Sequence, residues 1–233
     1  LEVGVNLIFD IGYNKGDFTK ECFRIHPECK VVGVEANLSL VYNKPTNPQL
    51  TLIHALVSSG ENLYEDFYIE PNQNGISTAS TKFMKNSRFT KGSKNLPPNS
   101  ANWELKTQVK TITLNELTKT YGTPDLLKID VEGYEYEVLK GLTTKQQTIC
   151  FEWHEEEYDS LLKCIDHLQK LSYEEFGIIG YFDEGDVFDK VTYSDKGDPY
   201  LAEPENYYSW KELDVGRLIK VDRRVNYGMM FVK

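Results

Sequence analysis

Short apolar runs alternate with polar, turn-rich stretches along most of this chain. Residues 7–9, 30–35, 50–57, 126–130, 148–152, 176–180 and 227–232 are rich in Val, Ile, Leu, Phe and Met. Runs of this kind are expected of strands buried on both faces. Residues 64–69 alternate Tyr, Asp and Tyr with Glu, Phe and Ile, and read as an added strand. Helical patterns lie between the runs. Residues 18–25 follow a glycine-studded turn, residues 114–121 are closed by Gly122 and Pro124, and residues 134–140 follow the fourth core run. Residues 158–171 place Leu161, Leu162, Ile165, Leu168 and Leu171 at helical spacing, as an amphipathic cover helix. Strand and helix in alternation predict an α/β fold around a parallel sheet.

Two segments break the alternation. Residues 70–104 are polar, with Asn72, Asn74, Gly75, Lys91, Gly92, Pro97 and Pro98. Residues 181–224 are rich in Asp, Gly, Pro and aromatic residues. Structureless loops of such length are uncommon in a compact domain. Both follow strands whose carboxyl ends face the ligand crevice of such a sheet. They are expected to wall an acceptor pocket, with surface decoration as the alternative.

The most informative stretch is Phe9-Asp10-Ile11-Gly12-Tyr13-Asn14-Lys15-Gly16-Asp17-Phe18. Strand, tight glycine turn and helix hold a nucleotide-like ligand in doubly wound domains. The spacing is Asp-x-Gly-x-Asn-x-Gly, not the G-x-G-x-x-G of dinucleotide binders. Asn14 takes space where a pyrophosphate would need bare backbone. Glu35 ends the second run about 20 residues after the turn, where an acid accepts hydrogen bonds from ribose hydroxyls. A structural carboxylate capping the helix after Asn37 is the competing reading.

This turn resembles motif I of class I S-adenosylmethionine (SAM)-dependent methyltransferases. The stretch DLLKIDVEGYE, from Asp125 to Glu135, is followed by Val138-Leu139-Lys140-Gly141 and resembles the signature of the FkbM methyltransferases. VKTITLNEL at 109–117, ICFE at 149–152 and YGMMFV at 227–232 are similar to that family's flanking elements. The resemblance implies a Rossmann-like class I methyltransferase fold. That fold is a mostly parallel seven-stranded sheet with helices on both faces and an antiparallel last strand. It implies SAM as cofactor, with Asp10 beneath its amino acid part and Gly12, Tyr13, Asn14 and Gly16 in the turn. It places Glu35, Ala36 and Asn37 at the end of the second strand, Ala55 near adenine with Leu56, and Ser77 in a segment closing over the methionine part. Residues 1–233 are expected to form one such domain. FkbM-like chains usually carry helical material ahead of the first strand, and almost none is present here. A domain excised from a longer chain is therefore expected.

Methyl transfer to oxygen needs more than a cofactor pocket. An aliphatic hydroxyl is a poor nucleophile until a carboxylate, a histidine or a metal ion assists it. Asp130 and Glu132 end the fourth core run, and Glu152 and His154 end the fifth. Adjacent strands would bring these tips together. Glu152 and His154 are two apart, so they face one side of an extended segment. His154 is the best single base, because its unperturbed pKa lies near neutrality. A solvated histidine in the acidic run 155–157 is the competing reading. Asp130, Glu152 and His154 equally suit Mg²⁺ or Mn²⁺. Metal-free base catalysis, metal-assisted catalysis and simple positioning of substrate all stay open. Lys128 shares a strand face with Asp130 and is expected to pair with it, and His54 reads as a core histidine.

Composition narrows the partners. A formal net charge of −10 across 233 residues, with no long Lys/Arg run, argues against a nucleic-acid backbone. No apolar segment approaches the ~20 residues needed to span a bilayer, and no signal peptide is visible. The expectation is a cytoplasmic protein without a membrane span. Cys22, Cys29, Cys150 and Cys164 are scattered, lack zinc spacing and read as buried free thiols. The family methylates hydroxyls of polyketides, sugars and other small molecules. Tyr181, Phe182, Tyr200, Tyr207, Tyr208, Trp210 and Trp103 lie in or at the end of the two long segments. Such rings suit a sugar face and equally suit ordinary packing. FkbM-like domains occur in glycan assembly, sometimes fused to glycosyltransferase domains. The expected function is SAM-dependent O-methylation of a sugar, glycan or glycan precursor. A polyketide or other small-molecule acceptor and a non-catalytic SAM-binding module are the alternatives.

Overall fold

The computed structural model describes residues 4–42, 47–92, 96–182, 187–188, 208–209 and 225–233. The first half runs β1 (Leu7–Ile11), α1 (Asp17–Ile25), β2 (Lys30–Glu35), α2 (Leu38–Tyr42), β3 (Leu50–His54), β4 (Leu56–Val57), β5 (Tyr64–Ile69), α3 (Thr81–Asn86), α4 (Arg88–Lys91) and β6 (Leu105–Ile112). The second half runs α5 (Leu114–Tyr121), β7 (Leu126–Ile129), α6 (Glu135–Lys140), β8 (Thr148–His154), α7 (Tyr158–Lys170), β9 (Glu175–Phe182), β10 (Val187–Phe188), β11 (Tyr208–Ser209) and β12 (Val225–Val232).

The main sheet has the order β10-β9-β12-β8-β7-β1-β2-β3, with β11 also on β9. Strands β3, β2, β1, β7 and β8 are mutually parallel, and β12 runs antiparallel to both β8 and β9. Setting aside the two-residue β10 and β11, this is the seven-stranded, mostly parallel sheet that the resemblance implied. The winding reverses between β1 and β7, and the crevice of a doubly wound sheet opens at that point.

Successive residues point to opposite faces of a strand, so a strand covered on both sides is apolar throughout. Phe9, Val32, Leu127, Ile149 and Phe151 pack with Leu114 and Leu117 of α5, Val138 and Leu139 of α6, and Leu161, Ile165 and Leu168 of α7. On the other face Ile8 and Val31 meet Phe18 and Cys22 of α1. All four cysteines are buried, and none is in a disulfide among the described residues. Among the described residues, no helix is long and apolar enough to cross a membrane.

Several sequence expectations need correction. The run at 50–57 divides at Ala55: β3 pairs with β2, whereas β4 leaves the main sheet and pairs with β6. With β5 these form a separate three-stranded sheet. Residues 70–104 are not a plain loop. They hold a 3-10 turn at Asn74–Ile76, then α3 and α4. The α3 start is capped by Ser80, whose hydroxyl accepts the Phe83 N–H at 3.1 Å. Strand β8 continues to His154 because its ladder with β12 extends to the Tyr227–His154 pair. His54 is exposed rather than in the core, with Nε2 3.0 Å from the Ala36 carbonyl.

Candidate active site

A cleft open to solvent lies at the carboxyl ends of β1, β2, β3 and β7. Ile11, Gly12, Asn14, Glu35, Ala36, Ala55, Leu56 and Val57 form one part of its wall. Phe67, Asn74, Gly75, Ser77, Ala79, Asp130, Val131, Glu132 and Tyr134 form much of the rest. The turn after β1 is pressed against the turn after β7. A Cβ on Gly12, at φ +80°, would fall 1.8 Å from the Asp130 carbonyl oxygen. Only glycine fits such an approach. The amides of Gly12 and Tyr13 both donate to the Val34 carbonyl, at 3.0 and 3.1 Å.

Glu35 ties two loops together. Its carboxylate accepts the Asn14 N–H at 2.7 Å and the Asn37 N–H at 2.6 Å. Burial pushes its pKa up, and these two amides and Lys128 work against that. Seven of the expected cofactor residues line the cavity: Gly12, Asn14, Glu35, Ala36, Ala55, Leu56 and Ser77. Asp10, Tyr13, Gly16 and Asn37 stand behind the wall. Asp10 accepts from the Thr19 hydroxyl at 2.7 Å and from Lys128 Nζ at 3.1 Å. The Tyr13 ring is packed against Gly16 and Gly33, where added Cβ atoms would strike it. Asn37 accepts the Ser39 N–H and hydroxyl at 3.1 and 2.7 Å, which starts α2.

The second half of the site is built on the turn after β7. Glu132 sits in the left-handed region at φ +55°, followed by Gly133 at φ +82°. A glutamate there is strained and persists only where its surroundings hold it. Three contacts do so. Glu135 Oε1 accepts the Val131 and Gly133 amides at 3.2 and 3.1 Å. The Thr78 hydroxyl donates to the Glu132 carbonyl at 2.7 Å. Phe83 packs so closely that a Cβ on Gly133 would lie 2.8 Å from its own Cβ.

This turn aims Glu132 at two residues of β8. His154 Nε2 lies 3.6 Å from Glu132 Oε2 and 3.0 Å from Glu152 Oε2. The shorter contact lacks the alignment of a hydrogen bond. Both His154 ring nitrogens and Glu152 Oε2 are left without a hydrogen-bond partner among the described residues. His154 is only 2% exposed, so it is not the solvated histidine of an acidic run. Its ring packs on Phe83 at 5.0 Å and stacks on Tyr227 at 6.3 Å between centroids.

The charges interact strongly. Burial and the neighbouring Glu152 carboxylate push Asp130 up to about 8, against the pull of Lys128. Burial, Glu152 and Asp130 raise Glu132 as well. Burial works against an ionised Glu152, yet His154 and a hydrogen bond from Asp130 hold it below its usual range. Burial likewise disfavours the imidazolium, yet Glu152 raises His154. The carboxyls are too close and too dry for all of them to ionise. Asp130 leans to Lys128, at 3.5 Å, and to Glu152. The group that shares a focus with Glu152 and His154 is Glu132.

The segment 70–104 covers this edge, as expected. Phe83 lies on His154, Lys82 pairs with Glu157 at 2.7 Å, and the Arg88 N–H donates to Glu156 at 2.8 Å. The Arg88 guanidinium stands 4.6 Å over the Tyr227 ring. Trp103 donates its ring N–H to the Ile76 carbonyl at 2.8 Å. The expected second wall, 181–224, lies largely outside the described residues, with Tyr200, Tyr207 and Trp210 wholly so. Sequence reasoning missed Phe67, Phe83 and Tyr134. The alternation of β5 could have flagged Phe67 as inward-facing, whereas Phe83 sits in a stretch with no period.

Sequence comparison matches residues 10–175 to the Methyltransferase FkbM domain. No curated protein matches the chain. Among solved structures, the FkbM methyltransferase of Methylobacillus flagellatus KT is similar at 13% identity and a TM-score of 0.49, over 79% of this chain and 42% of that one. The chain thus spans less than half the length of that protein. A precorrin-6y C5,15-methyltransferase of Geobacter metallireducens GS-15 is similar at 11% identity and a TM-score of 0.42, over 100% of this chain and 82% of that one. A SAM-dependent methyltransferase of Archaeoglobus fulgidus is similar at 12% identity and a TM-score of 0.41, over 99% and 87%.

Proposed function

Because this chain belongs to the FkbM methyltransferase family, we propose that it moves the methyl group of SAM to a hydroxyl oxygen of a sugar, glycan or glycan precursor. The observation that carries the reading is the charge of the cavity. Glu35, Asp130 and Glu132 line it, and no lysine or arginine does among the described lining residues. A wall of carboxyl groups, whose ionised forms a bound cation favours, suits a cationic sulfonium better than a pyrophosphate. The Glu35 carboxylate oxygens each accept one amide and keep lone pairs for the ribose diol. Asp130 and Glu132 reach from this cavity to Glu152 and His154, a cluster suited to an acceptor oxygen.

Transfer is an in-line displacement. The acceptor oxygen forms a bond to the methyl carbon as the carbon–sulfur bond breaks, and that electron pair stays on sulfur as S-adenosylhomocysteine leaves. The hydroxyl proton passes into the cluster. Holding the two reactants in line supplies much of the acceleration. The cluster accepts hydrogen bonds from hydroxyls and repels phosphates and carboxylates, which favours a neutral, hydroxylated acceptor. Residues 1–233 act in this reading as one methyltransferase domain.

Calorimetry with SAM, S-adenosylhomocysteine and NAD tests the cofactor. Isotope-labelled SAM incubated with a panel of sugars and other alcohols tests the transfer. Tight NAD binding without SAM binding would overturn the methyltransferase reading. SAM binding with no transfer to any hydroxyl would instead support a silent SAM-binding module.

A further inference from the structure

We infer that Glu132, Glu152 and His154 form a divalent-cation site whose open positions receive the acceptor hydroxyl. One donor atom from each residue lies within 4.8 Å of the other two. The separations from His154 Nε2 are 3.0 and 3.6 Å. Adjacent ligands of an ion with bonds of ~2.1 Å stand ~3 Å apart, so little movement is needed to close on one.

A further observation points to a ligand here. His154 is almost wholly buried, its Nε2 faces both carboxylates, and neither ring nitrogen has a hydrogen-bond partner among the described residues. Glu152 Oε2 is orphaned in the same way. Buried polar atoms are nearly always satisfied, and each exception calls for an explanation. An ion seated between Nε2 and the two carboxylates would satisfy His154 Nε2 and Glu152 Oε2 at once. The backbone fixes where the Glu132 carboxylate is presented. Glu132 is held at φ +55° by Glu135, Thr78 and Phe83. Strain maintained by that many contacts is characteristic of a residue presented for a task.

Two carboxylates and one imidazole suit a hard to borderline ion such as Mn²⁺. Three protein ligands leave coordination positions open. Glu132 also lines the cavity, so those positions face the space where an acceptor would lie. A bound cation polarises a hydroxyl and favours loss of its proton. Asp130 is outside the ligand set and stands 3.5 Å from Lys128. The acceptor's identity rests on the proposed methyl transfer, but cation binding itself does not.

The test uses the full chain after chelator treatment, with Mn²⁺ titrated and the free ion followed by electron paramagnetic resonance. One saturable site is expected, with affinity at least tenfold weaker in Glu132→Gln and in His154→Ala. Asp66→Asn, whose carboxylate pairs with Lys106 at 2.7 Å outside the ligand set, is expected to bind as the parent does. Thermal melting checks each variant. If His154→Ala does not fold, Glu132→Gln decides, because that side chain is partly exposed and the change keeps its shape. No saturable binding, or binding unchanged in the folded variants, overturns the site. Full methyl transfer after chelation also overturns it and leaves the methyltransferase reading intact. Mn²⁺ binding lost in the variants, with no transfer to any hydroxyl, supports the site and removes the proposed reaction.

Discussion

Lys128 and Asp10 form an ion pair of 3.1 Å in which both side chains are shut away from water. They stand side by side on β7 and β1. The same ammonium reaches the Gly12 carbonyl at 3.0 Å and Asp130 at 3.5 Å. Burial opposes its charge, but Asp10 and Asp130 outweigh that and raise its pKa. One cation therefore fixes the glycine turn to the turn that carries the reactive acids. Removing one partner of a buried pair typically costs about 3–5 kcal/mol, because the other charge is left uncompensated. Lys128→Met is expected to lower stability by about that amount in urea unfolding. A loss under about 1 kcal/mol would show that Asp10 does not depend on it.

Glu35→Ala is expected to weaken SAM binding by about 1–3 kcal/mol, the usual range for a charged hydrogen-bond partner. Two amides would lose their acceptor as well, so the melting temperature should fall. Calorimetry and melting curves read the two effects separately. Unchanged SAM affinity in a folded variant would remove Glu35 from the ribose site.

His154→Ala is expected to lower turnover by about 10²–10⁴-fold, the range for loss of a positioned acid–base group. SAM affinity should stay near that of the parent, because His154 is not among the residues lining the cavity. Steady-state kinetics beside calorimetry checks both halves. Retained turnover would place the chemistry elsewhere.

The protein should lose stability as pH rises from about 4.5 to about 7 through Glu135, whose pKa burial lifts from 4.5 to about 7. The folded state holds that proton more tightly than the unfolded chain. The contribution is complete at the acid end and is lost across this window. A shift of that size corresponds to at most about 3 kcal/mol. Glu135→Gln keeps an oxygen for the Val131 and Gly133 amides and should flatten the slope of urea midpoint against pH. An equal slope in both proteins would remove Glu135 as its source.

Much of the scaffold was legible because strand ends coincide with abrupt changes in polarity. Strands β2 and β5 match the sequence reading to the residue. The division at Ala55 was not legible. LTLIHALV is one unbroken apolar run, and its two halves separate because β6, far along the chain, claims the second. Helices α3 and α4 are short and polar, so they carry no periodic signal. Among the acids, converging strand ends pointed to Asp130 and Glu132 together with Glu152 and His154. The left-handed turn, at which only Gly133 hints, brings the Glu132 carboxylate within 4.8 Å of Glu152 and His154. Tyr13 was read as a cofactor contact from its place in the motif, yet Gly33 on the next strand leaves a hollow that receives its ring.

Strand β12 lies between β8 and β9 and runs against both. During synthesis, β8 and β9 emerge from the ribosome before the strand that joins them. Until residues 225–232 appear, each has an edge of unpaired amides and carbonyls, and such edges recruit other chains. Pairings this distant in sequence form slowly. The nascent chain therefore passes through an interval of aggregation risk that lasts until β12 is made. A chain cut before Val225 is expected to stay in that interval, appearing in the insoluble fraction or bound to chaperones, whereas a soluble, monomeric truncation would show that the sheet closes without it.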